Sequence, residues 1–155
     1  MSRWTSICCA VDFSETSRAA LRVASDLCAT LGARLTLFHV DQIPGSSYPE
    51  SVIAITPEIE RDLSSHADRG LAEWKAQAEA LGVKDVSLAR SPGDPAGEIA
   101  LFTAQGRFDL VVLGTHGRTG LRRVVLGSVA EEVVRRCKVP VLTVPAAWRT
   151  AGERD

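Results

Sequence analysis

The residues best equipped for chemistry lie in one loop, Gly114 to Ser128, with the sequence GTHGRTGLRRVVLGS. A short apolar strand, Leu110–Leu113, leads into it, and a helix opening at Gly127 and Ser128 leads out. Strand, glycine-rich loop and helix start, in that order, is how a parallel sheet builds an anion pocket. The first N–H groups of a helix have no partner inside the helix, and the helix dipole favours negative charge there. Gly114 lets the chain leave the strand with little steric restriction. Gly117 can take a positive φ and allows close approach of backbone to a phosphate. Gly127 and Ser128 offer N–H groups and a hydroxyl. His116, Arg118, Arg122 and Arg123 add positive charge, with Arg122 and Arg123 equally readable as surface charges. The expected ligand is the phosphate of a nucleotide.

Two better-known phosphate motifs are excluded. GxxxxGK[ST] does not occur, so there is no P-loop lysine, and GxGxxG is absent after the first strand. The net charge of −1 makes a polyanion-binding surface over the whole chain implausible, so no nucleic-acid partner is expected. No apolar run approaches the roughly 18 residues of a membrane span, and no leader pattern is seen, so the cytoplasm is the expected location. The four cysteines form no CxxC pair and sit near no histidine at ligand spacing. Cys8 and Cys9 read as buried thiols on opposite faces of a strand.

The elements that must position the loop follow from periodicity. At 155 residues, one domain with a full core is expected, spanning 1–147 and followed by a short charged tail over 148–155 that should fray. Ser6–Val11 reads as a buried strand. Ser14 caps a helix running to about Leu31, with Ala20, Val23, Ala24, Leu27 and Leu31 inward and Gly32 as its stop. Arg34–Val40 is the second strand, with His39 packed in it. The loop over 41–56 has the length of a lid or a disordered segment. Thr56 and Pro57 open a second helix whose stripe is Ile59, Leu63, Ala67, Leu71, Trp74, Ala78 and Leu81, with Trp74 a core residue. Val83–Ala89 is a third strand. Asp94 caps a short third helix, with Ala96, Ile99, Ala100 and Thr103 inward. Ser128 and Glu131 read as a capping box on the fourth helix, and Val139–Val144 is the last strand.

Regular alternation of strand and helix implies a single-domain α/β fold, an open parallel five-stranded sheet with helices on both faces. Strand orders 2-1-3-4-5 and 3-2-1-4-5 are both compatible with this count. In an open sheet of this kind, ligands bind beyond the carboxyl ends of the strands, where the winding reverses. Order 3-2-1-4-5 would bring Asp12, at the end of the first strand, to face the glycine loop, and it is therefore favoured. On that ground Asp12 reads as a ligand contact as well as a helix-start residue.

Gly114-x-x-Gly117, nine residues, then Gly127-Ser128 resembles the G-2x-G-9x-G-(S/T) nucleotide motif of the universal stress protein family. The opening AVDFSETSRAAL, the strand LTLFHV, the turn GDPAGEI and the ending RCKVPVLTV resemble the same family in order and spacing. The resemblance implies a Rossmann-like, adenine nucleotide alpha hydrolase-like sheet of order 3-2-1-4-5, a homodimer, and bound ATP. It further implies that Ala10, Val11 and Asp12 hold ribose and adenine, and that the backbone of Val40 meets the adenine edge. Leu113 and Gly114 would line the ribose side, and Gly117, Gly127, Ser128 and Val129 the phosphates. His116 lies next to these, and Arg118 is added on charge alone. Asp12 is also placed to hold a Mg²⁺ near the phosphates. The last strand, Val139–Val144, carries Pro140 and reads as an apolar edge best covered by a second copy. The expected function is a stress-response regulator that holds ATP and hydrolyses it slowly at most. An ATPase or nucleotidyl-transfer enzyme, and a nucleotide-independent protein-binding module, are the alternatives.

Overall fold

The computed structural model describes residues 4–42, 56–116 and 126–153. Nine elements alternate: β1 (Ser6–Ala10), α1 (Glu15–Leu31), β2 (Arg34–Asp41), α2 (Pro57–Ala80), β3 (Val86–Pro92), α3 (Pro95–Gln105), β4 (Leu110–Gly114), α4 (Ser128–Arg136) and β5 (Val141–Val144). All strand pairs are parallel and the order is β3-β2-β1-β4-β5. The winding therefore reverses between β1 and β4, where Cys9 pairs with Val112.

The starts of three helices follow local chemistry. Ser14, Thr56 and Asp94 each stand in extended backbone and accept an N–H from three residues ahead, at Ser17, Ile59 and Gly97. Each such cap contributes about 1 kcal/mol. Gly32 ends α1 in the left-handed conformation, with φ 67°. The fourth helix departs from the expected capping box. Gly127 is its N-cap, with no side-chain hydrogen bond, and Ser128 is already its first helical residue. The cause is steric. The Gly127 N–H is held by Thr115 O at 2.7 Å, and a Cβ at 127 would come within 2.9 Å of that same oxygen.

The sheet divides the core in two. Ile7, Cys9, Leu35, Leu37 and Val112 face α1 and α2, where they meet Leu21, Ala24, Leu71, Trp74 and Ala78. Cys8, Phe38, Val40, Val111 and Leu113 face α3 and α4, where they meet Ala96, Ile99, Ala130 and Val133. Cys8 and Cys9 thus lie on opposite faces. Burial pushes both thiols upward, and raises that of Cys28 to about 12, so they pack as neutral groups. Each fully buried large side chain of these clusters contributes roughly 1.5–3 kcal/mol.

Several expected stripes and limits shift. The inward face of α1 is centred on Ala20, Leu21, Ala24 and Cys28, while Val23 and Leu27 only border the core and Leu31 is exposed. Both ends of the α2 stripe overhang the sheet, leaving Ile59, Leu63 and Leu81 exposed. β3 begins three residues later than expected and β5 two later, so Pro140 precedes its strand and accepts the Val111 N–H instead. The tail does not hang free over 148–153. Trp148 packs against the first core cluster, Arg22 lies over its ring at 5.7 Å, and Ala151–Glu153 forms a 3-10 turn. Residues 43–55, most of the expected lid, lie outside the described residues. Among the described residues no helix is long and apolar enough to cross a membrane.

Candidate functional site

At the carboxyl edge of the sheet, β1 gives way to a turn over residues 11–14 that is held by hydrogen bonds from neighbouring backbone and side chains. The Val11 N–H donates to Phe38 O at 2.9 Å. The ring of His39 bonds Val11 O through Nδ1 at 2.8 Å. The Asp12 N–H donates to Ser17 Oγ at 3.0 Å, and Asp12 Oδ1 accepts the Ser14 N–H at 3.0 Å. The Ser14 N–H therefore fixes one oxygen of the Asp12 carboxylate, while the Ser14 side chain supplies the helix cap. The next residue, Phe13, stands at φ 64°. For an L-residue that conformation costs roughly 1–2 kcal/mol. Its ring lies 4.8 Å from that of His39 and edge-on to Trp74 at 5.3 Å.

β4 ends against this turn. A Cβ on Gly114 would fall 2.6 Å from Thr16 Cγ2 and 3.0 Å from the Thr16 backbone. Gly114 is thus needed for the close approach of β4 to the first turn of α1, more than for freedom in leaving the strand. Thr115 then donates its N–H to Val144 O and accepts that of Gly127, so the chain that departs after His116 returns to the same place at 126–127. His116 Nδ1 pairs with Thr115 Oγ1 at 3.0 Å. Ser128 and Val129 are exposed in the first turn of α4, where N–H groups lack intrahelical partners.

Contact by contact, the structure links Asp12, Ser17, Thr16, Gly114, Thr115, Gly127 and Ser128 at one end of the β1–β4 pair. Val40 lies at the same sheet edge, two residues beyond the last β1–β2 pair at Phe38. Ala10 is half-buried, and Val11, Val40 and Leu113 are buried, so these four present backbone more than side chain to a ligand. Gly117, Arg118, Arg122 and Arg123 lie outside the described residues. Among the described residues, no group of three or more His, Cys, Asp or Glu is arranged to hold a metal ion.

Sequence reasoning missed the shell behind Asp12. Ser17 and His39 hold the turn through side-chain bonds. Arg90 clamps α2 to the ends of β2 and β3, pairing with Asp41 at 2.9 Å, Asp68 at 2.5 Å and Ser64 O at 3.0 Å. Desolvation works against the charge of Arg90, but its hydrogen bonds to Asp68 and Asp41 outweigh this and raise its pKa. A groove of about 360 Å³ opens between α1 and α2, lined by Phe13, Arg18, Arg69, Gly70 and Trp74 among others. It contains none of the expected ligand residues and meets the turn only through Phe13.

The profile of the universal stress protein family matches residues 3–145, most of the chain. The chain belongs to the universal stress protein family. It is similar to the universal stress protein MJ0531 of Methanocaldococcus jannaschii, 35% identical over 131 residues that cover 84% of this chain and 73% of that protein. The solved structure of MJ0577, a universal stress protein of the same organism, matches with a TM-score of 0.79 at 28% identity, covering 93% of this chain and 97% of that one. A universal stress protein from Archaeoglobus fulgidus, solved in complex with dAMP, shares the fold, with a TM-score of 0.62 at 20% identity, covering 93% of this chain and 99% of that one. The family's Rossmann-like sheet and the observed strand order agree.

Proposed function

We propose that this universal stress protein binds ATP at the carboxyl edge between β1 and β4, and works as a cytoplasmic homodimer whose nucleotide reports a state. One observation carries the reading: Gly114 against Thr16 and the Gly127 N–H on Thr115 O bring the Asp12 turn and the start of α4 to the same end of the β1–β4 pair. The α4 start suits phosphate oxygens, with Gly127, Ser128 and Val129 at the helix start and His116 on the strand side; Gly117, from the family motif, and Arg118, on charge alone, are assigned to the same end by sequence. Asp12 suits the ribose hydroxyls, with Ala10, Val11, Val40, Leu113 and Gly114 completing the adenosine end. A dAMP-bound relative of the same fold supports an adenine nucleotide.

The donor set also bears on Mg²⁺. Such a cation is commonly held by one or two carboxylates together with substrate phosphates. Asp12 offers one carboxylate, which fits a cation arriving with the polyphosphate and not a resident one. The Gly114–Ser128 loop contains no Asp or Glu to activate water, so hydrolysis should be slow. Calorimetric titration with Mg-ATP should give saturable binding; a flat titration sinks the proposal. Turnover should stay below about one per minute, and multiple turnovers per minute abolished by Ser128→Ala would make the protein an ATPase instead.

The homodimer rests on β5, an edge strand paired only to β4 among the described residues, with Val141 and Leu142 half-buried. Pairing it with a second copy would satisfy its free edge. Light scattering should show Val141→Asp as a monomer, and a dimeric variant would put the interface elsewhere.

A further inference from the structure

We infer that Phe13 and Gly70 form a latch through which helix α2 sets the position of the Asp12 carboxylate, both being positioning residues for the nucleotide; this rests on the ATP reading above. Phe13 follows Asp12 directly and is left-handed, a conformation that a bulky residue keeps only where its surroundings over-determine it. A Cβ placed on Gly70 would meet Phe13 Cε1 and Cζ, each at 2.9 Å. The ring thus sits in a notch that only glycine can leave in α2. Gly70 lies inside a 24-residue helix, where glycine is otherwise a poor choice. The ring cannot slide sideways, because His39 and Trp74 close it in at 4.8 and 5.3 Å.

His39 ties the same unit together, touching the Phe13 ring and bonding Val11 O. The helix that carries the notch is itself pinned to the sheet edge by Arg90, through Asp68 and Ser64 O. Any movement of α2 that closes or fills the notch must therefore rotate the Val11–Ser14 turn, and the carboxylate with it. The Asp12 turn and helix α2 thus share one aromatic ring.

The test is a double-mutant cycle read by Mg-ATP titration and by exchange of the Ser14 amide, whose N–H donates to Asp12 Oδ1. Gly70→Ala should weaken ATP about tenfold, the worth of one misplaced hydrogen bond to a charged group, and should speed Ser14 exchange. Phe13→Gly should weaken it by a similar factor. The double variant should match Phe13→Gly, because the added methyl then has no ring to push. A merely structural contact would lower the melting temperature and leave ATP affinity and Ser14 exchange unmoved, which would overturn the latch. Faster exchange with unchanged affinity, or two effects that multiply to about a hundredfold, would overturn it as well. If the unaltered chain binds no ATP, the functional reading falls and the latch's role toward nucleotide falls with it, whereas the exchange data still report whether Gly70 governs the turn.

Discussion

Two aspartates stand at opposite ends of the central strand pair, and their surroundings differ. Asp109 precedes β4 at the amino edge. Its Oδ2 accepts the Thr5 N–H at 2.8 Å, the Ser6 N–H at 3.0 Å and the Thr5 hydroxyl at 3.2 Å, so it ties the start of β1 to β4. Asp12 follows β1 at the carboxyl edge, where Oδ1 accepts the Ser14 N–H. One carboxylate fastens strands together; the other is held within its own turn by the Ser14 N–H. The same residue type thus serves architecture at one edge and, on the ATP reading proposed above, recognition at the other. The difference lies in what holds the acceptor oxygen, the start of a neighbouring strand at Asp109 and a local turn at Asp12.

The widest separation should come from removing each in turn. Asp12→Ala should weaken ATP by about 10- to 100-fold, the range for a hydrogen bond to a charged group, with only a small change in denaturation midpoint. Asp109→Ala should do the reverse. It leaves the Thr5 and Ser6 N–H groups without their acceptor and should cost about 2 kcal/mol of stability while ATP affinity stays put. Urea denaturation and calorimetric titration on both variants would decide it. Equal effects of the two variants on binding would erase the functional distinction between the edges.

Acid sharpens the same contrast more gently. The Thr5 N–H above all, with the Ser6 N–H and the Thr5 hydroxyl, holds the Asp109 carboxyl below its ordinary value of 3.8, against the opposing effect of desolvation. A carboxylate whose pKa is lowered by folding stabilises the fold at pH above its unfolded value and loses that contribution as pH falls through the folded one. The stability difference between the unaltered chain and Asp109→Asn should therefore be flat from neutral pH down to about 5 and shrink below about 4. Glu153 is also lowered, through the Thr150 N–H, but the tail is the same in both proteins and cancels in the difference. A gap that widens toward acid would contradict the bonding described for Asp109.

Much of this was legible in the sequence because it is local. Ser14, Thr56 and Asp94 announce helix starts by residue type and spacing, and alternation of elements announces a parallel sheet. The strand order followed once Asp12 was set against the glycine loop. What could not be read depends on neighbours distant in the chain. Gly127 displaces Ser128 as the cap because Thr115 O lies against it. Gly114 is small because Thr16 packs there, and Gly70 because of Phe13. The ends of the α2 stripe, Ile59 and Leu63, carry helical spacing whether or not a sheet lies beneath them. For the candidate site, residue types at Asp12, Gly127 and Ser128 were visible in advance, whereas the bonds and ring contacts of Ser17, His39 and Phe13 that hold the Asp12 turn were not.

The smallest effect bears on strain at the two edges. Phe13 and Arg107 are both left-handed without being glycine, at φ 64° and 54°. Arg107 sits in the exposed turn between α3 and β4, at the amino edge and after Gly106, whose own φ is −80°. Among the described residues no hydrogen bond or ion pair holds the Arg107 side chain, so its conformation brings no visible return. Glycine adopts that backbone freely but enlarges the freedom of the unfolded chain, which offsets part of the relief. Arg107→Gly should therefore gain about 0.5–1 kcal/mol and leave ATP affinity alone. Phe13→Gly relieves the same kind of strain but removes a ring packed on Trp74, His39 and Gly70, and should give no gain in stability. Thermal denaturation of the two variants side by side would separate strain that serves a contact from strain that does not, and a stabilised Phe13→Gly would place both residues in the second class.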